Sequence, residues 1–288
     1  MAAGVVILGI AVSALVGIAG RDGSSSTPTT SSSSATGPAF ELPLALEPST
    51  LSLAKHEGDL LVGLAARRGE IEVAAVRAET PVDDVKIAVD GSAAKAESCG
   101  RGCSRVDAPV LEGRPSRVMV EADGADVLFL LPPSLPPSGQ RIFDEALRKM
   151  NALRTYRFTE FLSSGRSTVT TKLAVQAPDR LSLRTSNGYR SVIIGRKRWD
   201  YDGRWQRGPF PGLVVGNVLM WHDAKNPRVL QAGPTTKLAA FALKPVPAWF
   251  RLSVRSGRVV EAQMLAPSHF MTHRYRDFDA PVRIEPPR

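Results

Sequence analysis

Cysteine occurs only twice in this chain of 288 residues, histidine only four times, and aromatic residues make up 6%. Two cysteines cannot form the multi-bridge framework of a small secreted module, nor a four-thiolate zinc site. The sequence has no G-x-S-x-G, no H-E-x-x-H and no phosphate-binding loop, and the His222-Asp223 pair has no identified nucleophile beside it. No enzymatic role and no cofactor are expected. The first twenty residues, MAAGVVILGIAVSALVGIAG, lack any charged side chain, and residues 21–39 lack almost any apolar one.

What is there begins with those two absences. Twenty uncharged residues as a helix span about 30 Å, the thickness of a hydrocarbon core. Residues 1–20 are therefore a transmembrane anchor, or a signal peptide cleaved near Gly17-Ile18-Ala19 by the small-x-small rule. No Lys or Arg precedes the apolar run, which favours the anchor. The following RDGSSSTPTTSSSSATGPA cannot bury enough surface to offset ordering entropy and reads as a flexible Ser/Thr-rich linker. The bulk of the chain is expected outside the cell membrane.

Charge divides the remainder. Residues 1–140 carry 11 Lys+Arg against 17 Asp+Glu, a net −6, whereas residues 141–288 carry 26 against 11, a net +15. Two modules are implied, the second with an anion-facing surface. For an exported chain that surface points to membrane headgroups rather than nucleic acid. Arg196-Lys197-Arg198, with Arg190, Arg204 and Arg207 nearby, is either a solvated loop or a headgroup contact.

From Phe40 to Leu131 short β-type runs (Leu60–Ala65, Glu70–Val76, Val85–Val89, Arg117–Glu121, Asp126–Leu131) alternate with turn residues, predicting a small immunoglobulin-like β-sandwich over residues 40–132. The prolines of Pro132-Pro133-Ser134-Leu135-Pro136-Pro137 close it and act as a stiff spacer. Residues 138–288 open with a helix, because Ile142, Phe143, Ala146, Leu147, Met150 and Leu153 recur on one helical face. A meander follows from Tyr156, with Asn187-Gly188 and Asp202-Gly203 as hairpin turns. Val214–Arg228 shows no clear period and reads as a helix or a lid-like loop. Phe250–Arg255 and Arg258–Met264 then form a hairpin around Ser256-Gly257, and His269 to Tyr275 adds a last strand. The fold class expected is mainly β, the second part a curved antiparallel α+β sheet with helices in its concavity.

The ending PAWFRLSVRSGRVVEAQMLAPSHFMTHRYRDFDAPVRIEPPR, together with Ala177-Pro178-Asp179-Arg180, Gly195-Arg196-Lys197-Arg198-Trp199 and Gly203-Arg204-Trp205, resembles the lipoprotein-carrier half-barrel family over residues 140–288. It is similar in particular to the actinobacterial version attached to copper-resistance D-type membrane proteins. That resemblance implies a concave apolar cavity for a lipid or acyl chain, a membrane setting, and no catalytic residues. All four tryptophans lie in this part. Residues near Trp199, Phe250, Met264 and Met271 are the expected cavity lining.

Two further constellations stay open. Cys99 and Cys103, in Ser-Cys-Gly-Arg-Gly-Cys-Ser, sit in a loop flexible enough for a local disulfide. A metal would need two more ligands, and free thiols are the remaining alternative. His269, Met271 and His273 share one side of a strand about 7 Å apart in succession. Imidazole and thioether suit Cu(I), so a copper-homeostasis accessory is the alternative function; a scaffold for a membrane-protein partner is another. The plainer reading makes these three residues the wall of the sheet.

Overall fold

The computed structural model describes residues 40–165, 167–243 and 247–288; the apolar segment 1–20 and the linker 21–39 lie outside them. The first half contains β1 (Leu51–Glu57), β2 (Leu60–Arg67), β3 (Glu70–Arg77), β4 (Thr80–Pro81), β5 (Val85–Val89), β6 (Ser92–Ala94), β7 (Glu97–Gly100), β8 (Cys103–Asp107), β9 (Ser116–Ala122) and β10 (Ala125–Leu131). They form two sheets, β1-β2-β3-β8-β7 with β4 attached to β3, and β10-β9-β5-β6. Leu60, Val62, Leu64, Ile71 and Val73 of the first sheet meet Ile87, Val118, Val120 and Phe129 of the second in one core.

The burial patterns follow from what covers each sheet. In β9 and β10 burial alternates, because one face is open to water. Seven consecutive residues of β2, and seven of β3, are buried instead. Their second face is covered by Phe40, Leu42, Leu44 and Ala45 and by Phe241, Trp249 and Phe270 of the C-terminal half. Glu72 is fully buried on this strand: its carboxylate accepts from the Leu44 amide at 2.8 Å and from Arg105 Nε at 3.1 Å.

The second half begins with helix α1 (Gln140–Asn151). Strands β11 (Thr155–Ser163), β12 (Thr168–Gln176), β13 (Arg180–Thr185), β14 (Arg190–Ile194), β15 (Lys197–Asp202) and β16 (Arg204–Pro209) follow, then β17 (Lys225–Gln231), β18 (Thr235–Ala242), β19 (Ala248–Arg255), β20 (Arg258–Ala266) and β21 (His269–Arg276). All eleven join one antiparallel sheet in the order β16-β15-β14-β13-β12-β11-β21-β20-β19-β18-β17. The chain meanders from the middle to one edge, crosses to the other, and meanders back until its last strand pairs with its first. Residues 210–224 make the crossing. Their Leu213, Val218, Leu219, Met220 and Trp221 are buried with Phe143, Ala146 and Met150 of α1 against the inward side chains of the sheet. The sheet is an open half-barrel. Among the described residues its concavity holds one α-helix and a 3-10 turn at Val215–Val218, fewer helices than expected.

The hairpin turns are local. Ser256 and Gly257 both have positive φ, and Arg255 pairs with Arg258 across them. That is the two-residue primed turn whose twist matches the strands it joins.

Candidate functional site

Register decides which side chains face the concavity. Phe250 is directly opposite Met264, Met264 opposite Met271, and Met271 opposite Leu162, so four adjacent strands lay one apolar row across the inner face. Phe250, Met264 and Met271 are buried there beside Trp221 and α1. Trp199 is not with them. Ile193, an inner residue, is paired with Arg198, which turns Trp199 to the outer face, where it pairs with Val192 and Arg207. The Arg207 guanidinium lies 5.9 Å from the Trp199 ring centre. The expectation that Trp199 joins the other three is corrected by this alternation.

Two positions further along the strands, a second row is polar. Glu160 pairs with His273 on one side and with Thr171 on the other, and Thr171 pairs with Thr185. These four inward positions lie on four adjacent strands, in an otherwise apolar interior. Glu160 and His273 are 1% and 2% exposed, with Glu160 Oε2 2.9 Å from His273 Nε2. The other ring nitrogen of His273 is 3.2 Å from the Tyr275 hydroxyl, and the Phe158 ring stacks obliquely on the imidazole at 4.7 Å. Burial drives the Tyr275 and Tyr156 phenols well above their ordinary range. Glu160 Oε1, Thr171 Oγ1 and the Tyr156 hydroxyl are buried and have no hydrogen-bond partner among the described residues. A buried polar atom left unpaired costs about 1–3 kcal/mol, so each is a place where a water or a ligand's polar group is stabilised.

Both His273 nitrogens thus face protein groups, and His269 Nδ1 lies 3.1 Å from the Pro267 carbonyl. The three residues His269, Met271 and His273 form part of the sheet wall. Cys99 and Cys103 are joined as a disulfide, with Cα atoms 5.2 Å apart. Glu72 lies close to both sulfurs, but bridged sulfurs are not thiolate ligands.

Glu160 and Thr171 belong to no motif and escape a motif-based reading. The signal lies in the alternation: Tyr156, Phe158 and Leu162 mark the inward positions of β11, and Glu160 stands among them. A carboxylate on the buried phase of a strand is the informative exception.

No protein-family model matches the chain, and no curated protein matches it significantly. Among solved structures it is similar to LprF from Mycobacterium bovis, with 12% identity and a TM-score of 0.41 over 54% of this chain and 99% of that one. It is also similar to the Mycobacterium tuberculosis lipoprotein LppX, with 14% identity and a TM-score of 0.36 over 51% and 100%. An uncharacterised conserved protein from Thermus thermophilus gives 11% identity and a TM-score of 0.32 over 48% and 86%. At such low similarity, no ligand and no activity transfer from these proteins to this chain.

Proposed function

We propose that the half-barrel binds an apolar ligand carrying at least one polar group, of the lipid or acyl-chain type, in its concave face. The supporting observation is the pair of rows: an apolar track of Phe250, Met264, Met271 and Leu162 beside a buried polar track of His273, Glu160 and Thr171 with unpaired oxygens. A ligand's chain lies on the first and its polar group satisfies the second.

The crossing segment is the element that gives way. In residues 210–224 the amides of Asn217, Leu219, His222 and Ala224 each donate to the carbonyl three residues back, so these bonds survive a movement of the segment as a unit. Val214 of this segment is 59% exposed, an apolar side chain facing water. The Cys99–Cys103 disulfide supports an extracytoplasmic location. Among the described residues no helix is long and apolar enough to cross a membrane, and attachment through residues 1–20 is part of the proposal.

Native mass spectrometry of the full chain purified from its host membrane tests the reading. A lipid adduct that Met264→Arg removes, with circular dichroism unchanged, is expected. A folded protein with neither adduct nor affinity for any acyl ligand overturns it. Protease accessibility in fractionated cells tests the location, and full-length chain in the cytosol sinks that part.

A further inference from the structure

The outer face of the same sheet carries a second recess, which Phe250, Met271 and Leu162 of the concave row also border. Strand β1 of the sandwich runs past β19 and β20, and between them lies a cavity of ≈ 270 Å³ whose apolar wall is Leu53, Phe129, Leu130, Trp249 and Leu265. It continues into a shallower recess of ≈ 370 Å³ reaching Phe161 and Phe270, and Ala54, Lys55, Arg251, Gln263 and Leu265 line both. Arg251 and Gln263 are cross-strand partners, and Thr272 is next in that row.

The polar groups of the residues that line the recess are unevenly engaged. Lys55 Nζ donates to the Leu128 carbonyl at 2.5 Å and lies 5.8 Å from the Phe129 ring. Arg251 is exposed and makes no hydrogen bond or ion pair among the described residues, where ten other arginines pair with a carboxylate. The indole N–H of Trp249, a residue 3% exposed, is buried and has no acceptor among the described residues. Two of the four large apolar side chains exposed among the described residues, Leu130 at 66% and Phe161 at 39%, flank the two ends.

We infer that this recess binds a single-chain anionic amphiphile, with its carboxylate or phosphate on Arg251 and Gln263 and its chain along Leu53, Phe129, Trp249 and Leu265. A free guanidinium offers two parallel N–H donors to such a head group. The chain occupies the narrower ≈ 270 Å³ cavity, a volume below the about 300–1,000 Å³ of drug-sized ligands that suits one chain, and the head group sits where the two recesses meet.

Isothermal titration of the full chain with decyl phosphate below its micelle concentration, and with decanol, tests the assignment. Saturable binding of one decyl phosphate is expected at this site. Arg251→Ala is expected to weaken it about ten- to hundredfold, the worth of a charged hydrogen bond pair, while leaving decanol unchanged. Gln263→Trp fills the recess and abolishes both at this site, read in the folded Met264→Arg variant so that binding in the concavity does not contribute. Binding of decyl phosphate unaffected by both variants overturns the site, as does absence of binding. Attachment to phosphatidylglycerol vesicles without binding of monomeric decyl phosphate overturns it in favour of a membrane-surface patch. A folded Met264→Arg variant retains this binding, so the concave and outer sites fail independently.

Discussion

Gly63 has no side chain because the indole of Trp249 occupies the space. A Cβ built there would sit 2.0 Å from Trp249 Cζ2 and 2.3 Å from Cη2. The indole cannot retreat easily, since it stacks on Phe40 at 5.6 Å and packs on Phe241 at 5.1 Å. Gly63→Ala is expected to cost about 1–3 kcal/mol, the usual penalty for overpacking a filled core. The urea midpoint should fall at unchanged slope; an unchanged midpoint would show that the ring lies elsewhere. Tyr189 supplies a pH-dependent counterpart. Its hydroxyl donates to Asp200 at 2.5 Å and accepts from Arg198 at 2.8 Å, and burial, followed by the bond to Asp200, pushes its pKa from 10.0 to about 12. Below pH 10 the phenol is protonated in both folded and unfolded chains. Between about 10 and 12 only the unfolded chain has lost the proton, so stability falls as pH rises through that window. Tyr156 and Tyr275 act in the same direction. Urea unfolding across about pH 9–12 should show a shallower decline for Tyr189→Phe; identical slopes would remove Tyr189 from the account.

At the scale of elements, both ends of the open half-barrel sheet need protection against pairing with other chains. Edge strand β16 carries Arg204, Arg207 and Pro209. The opposite edge, β17, is covered by the segment that links the two halves: Ser138 forms a bridge with Arg228, Val229 donates to the Pro137 carbonyl at 2.9 Å, and Gly139 donates to the Pro227 carbonyl at 2.7 Å. The proline-rich stretch is therefore a docked edge cover as well as a spacer. Arg228, 9% exposed, holds it by donating to Pro136 and Thr50 carbonyls, and its burial lowers its pKa. Arg228→Met should leave those two carbonyls unpaired and cost roughly 1.5–3 kcal/mol, read as a lower urea midpoint. A neutral outcome would mean that water replaces the guanidinium. Strands β11 to β14 of the meander were legible because burial alternates along each, β15 and β16 because Asp202-Gly203 marks the turn between them, and the Ser256-Gly257 hairpin because its turn is encoded locally. Residues 214–224 were not, because an irregular segment lying in a concavity has no period for its buried residues to follow. The two- to four-residue strands β4, β6 and β7 were missed for want of length, β1 and β8 were missed as well because burial does not alternate regularly along them, and the inward orientation of Arg198 that displaces Trp199 depends on register, which no single strand reveals.

For the whole molecule, the decisive feature is the third core, which belongs to neither sheet system alone. Phe40, Leu42 and Leu44 lie between Leu61, Ala65 and Val76 of β2 and β3 and Phe241, Trp249 and Phe270 of the half-barrel. His56 of β1 stacks on Phe270 at 4.0 Å. Unfolding either half alone would expose this apolar surface on the other, at about 25 cal/mol for each Å². The two halves are therefore expected to unfold together despite their opposite net charges. All four tryptophans lie in the C-terminal half, so their fluorescence reports that half alone, whereas far-ultraviolet circular dichroism reports both. In urea the two signals should trace one coincident transition. Excised residues 138–288 should bind a hydrophobic dye and aggregate through the uncovered Phe241, Trp249 and Phe270 face. Two separated transitions in the full chain, or a soluble, dye-silent C-terminal fragment, would mean that the third core contributes packing without coupling the halves.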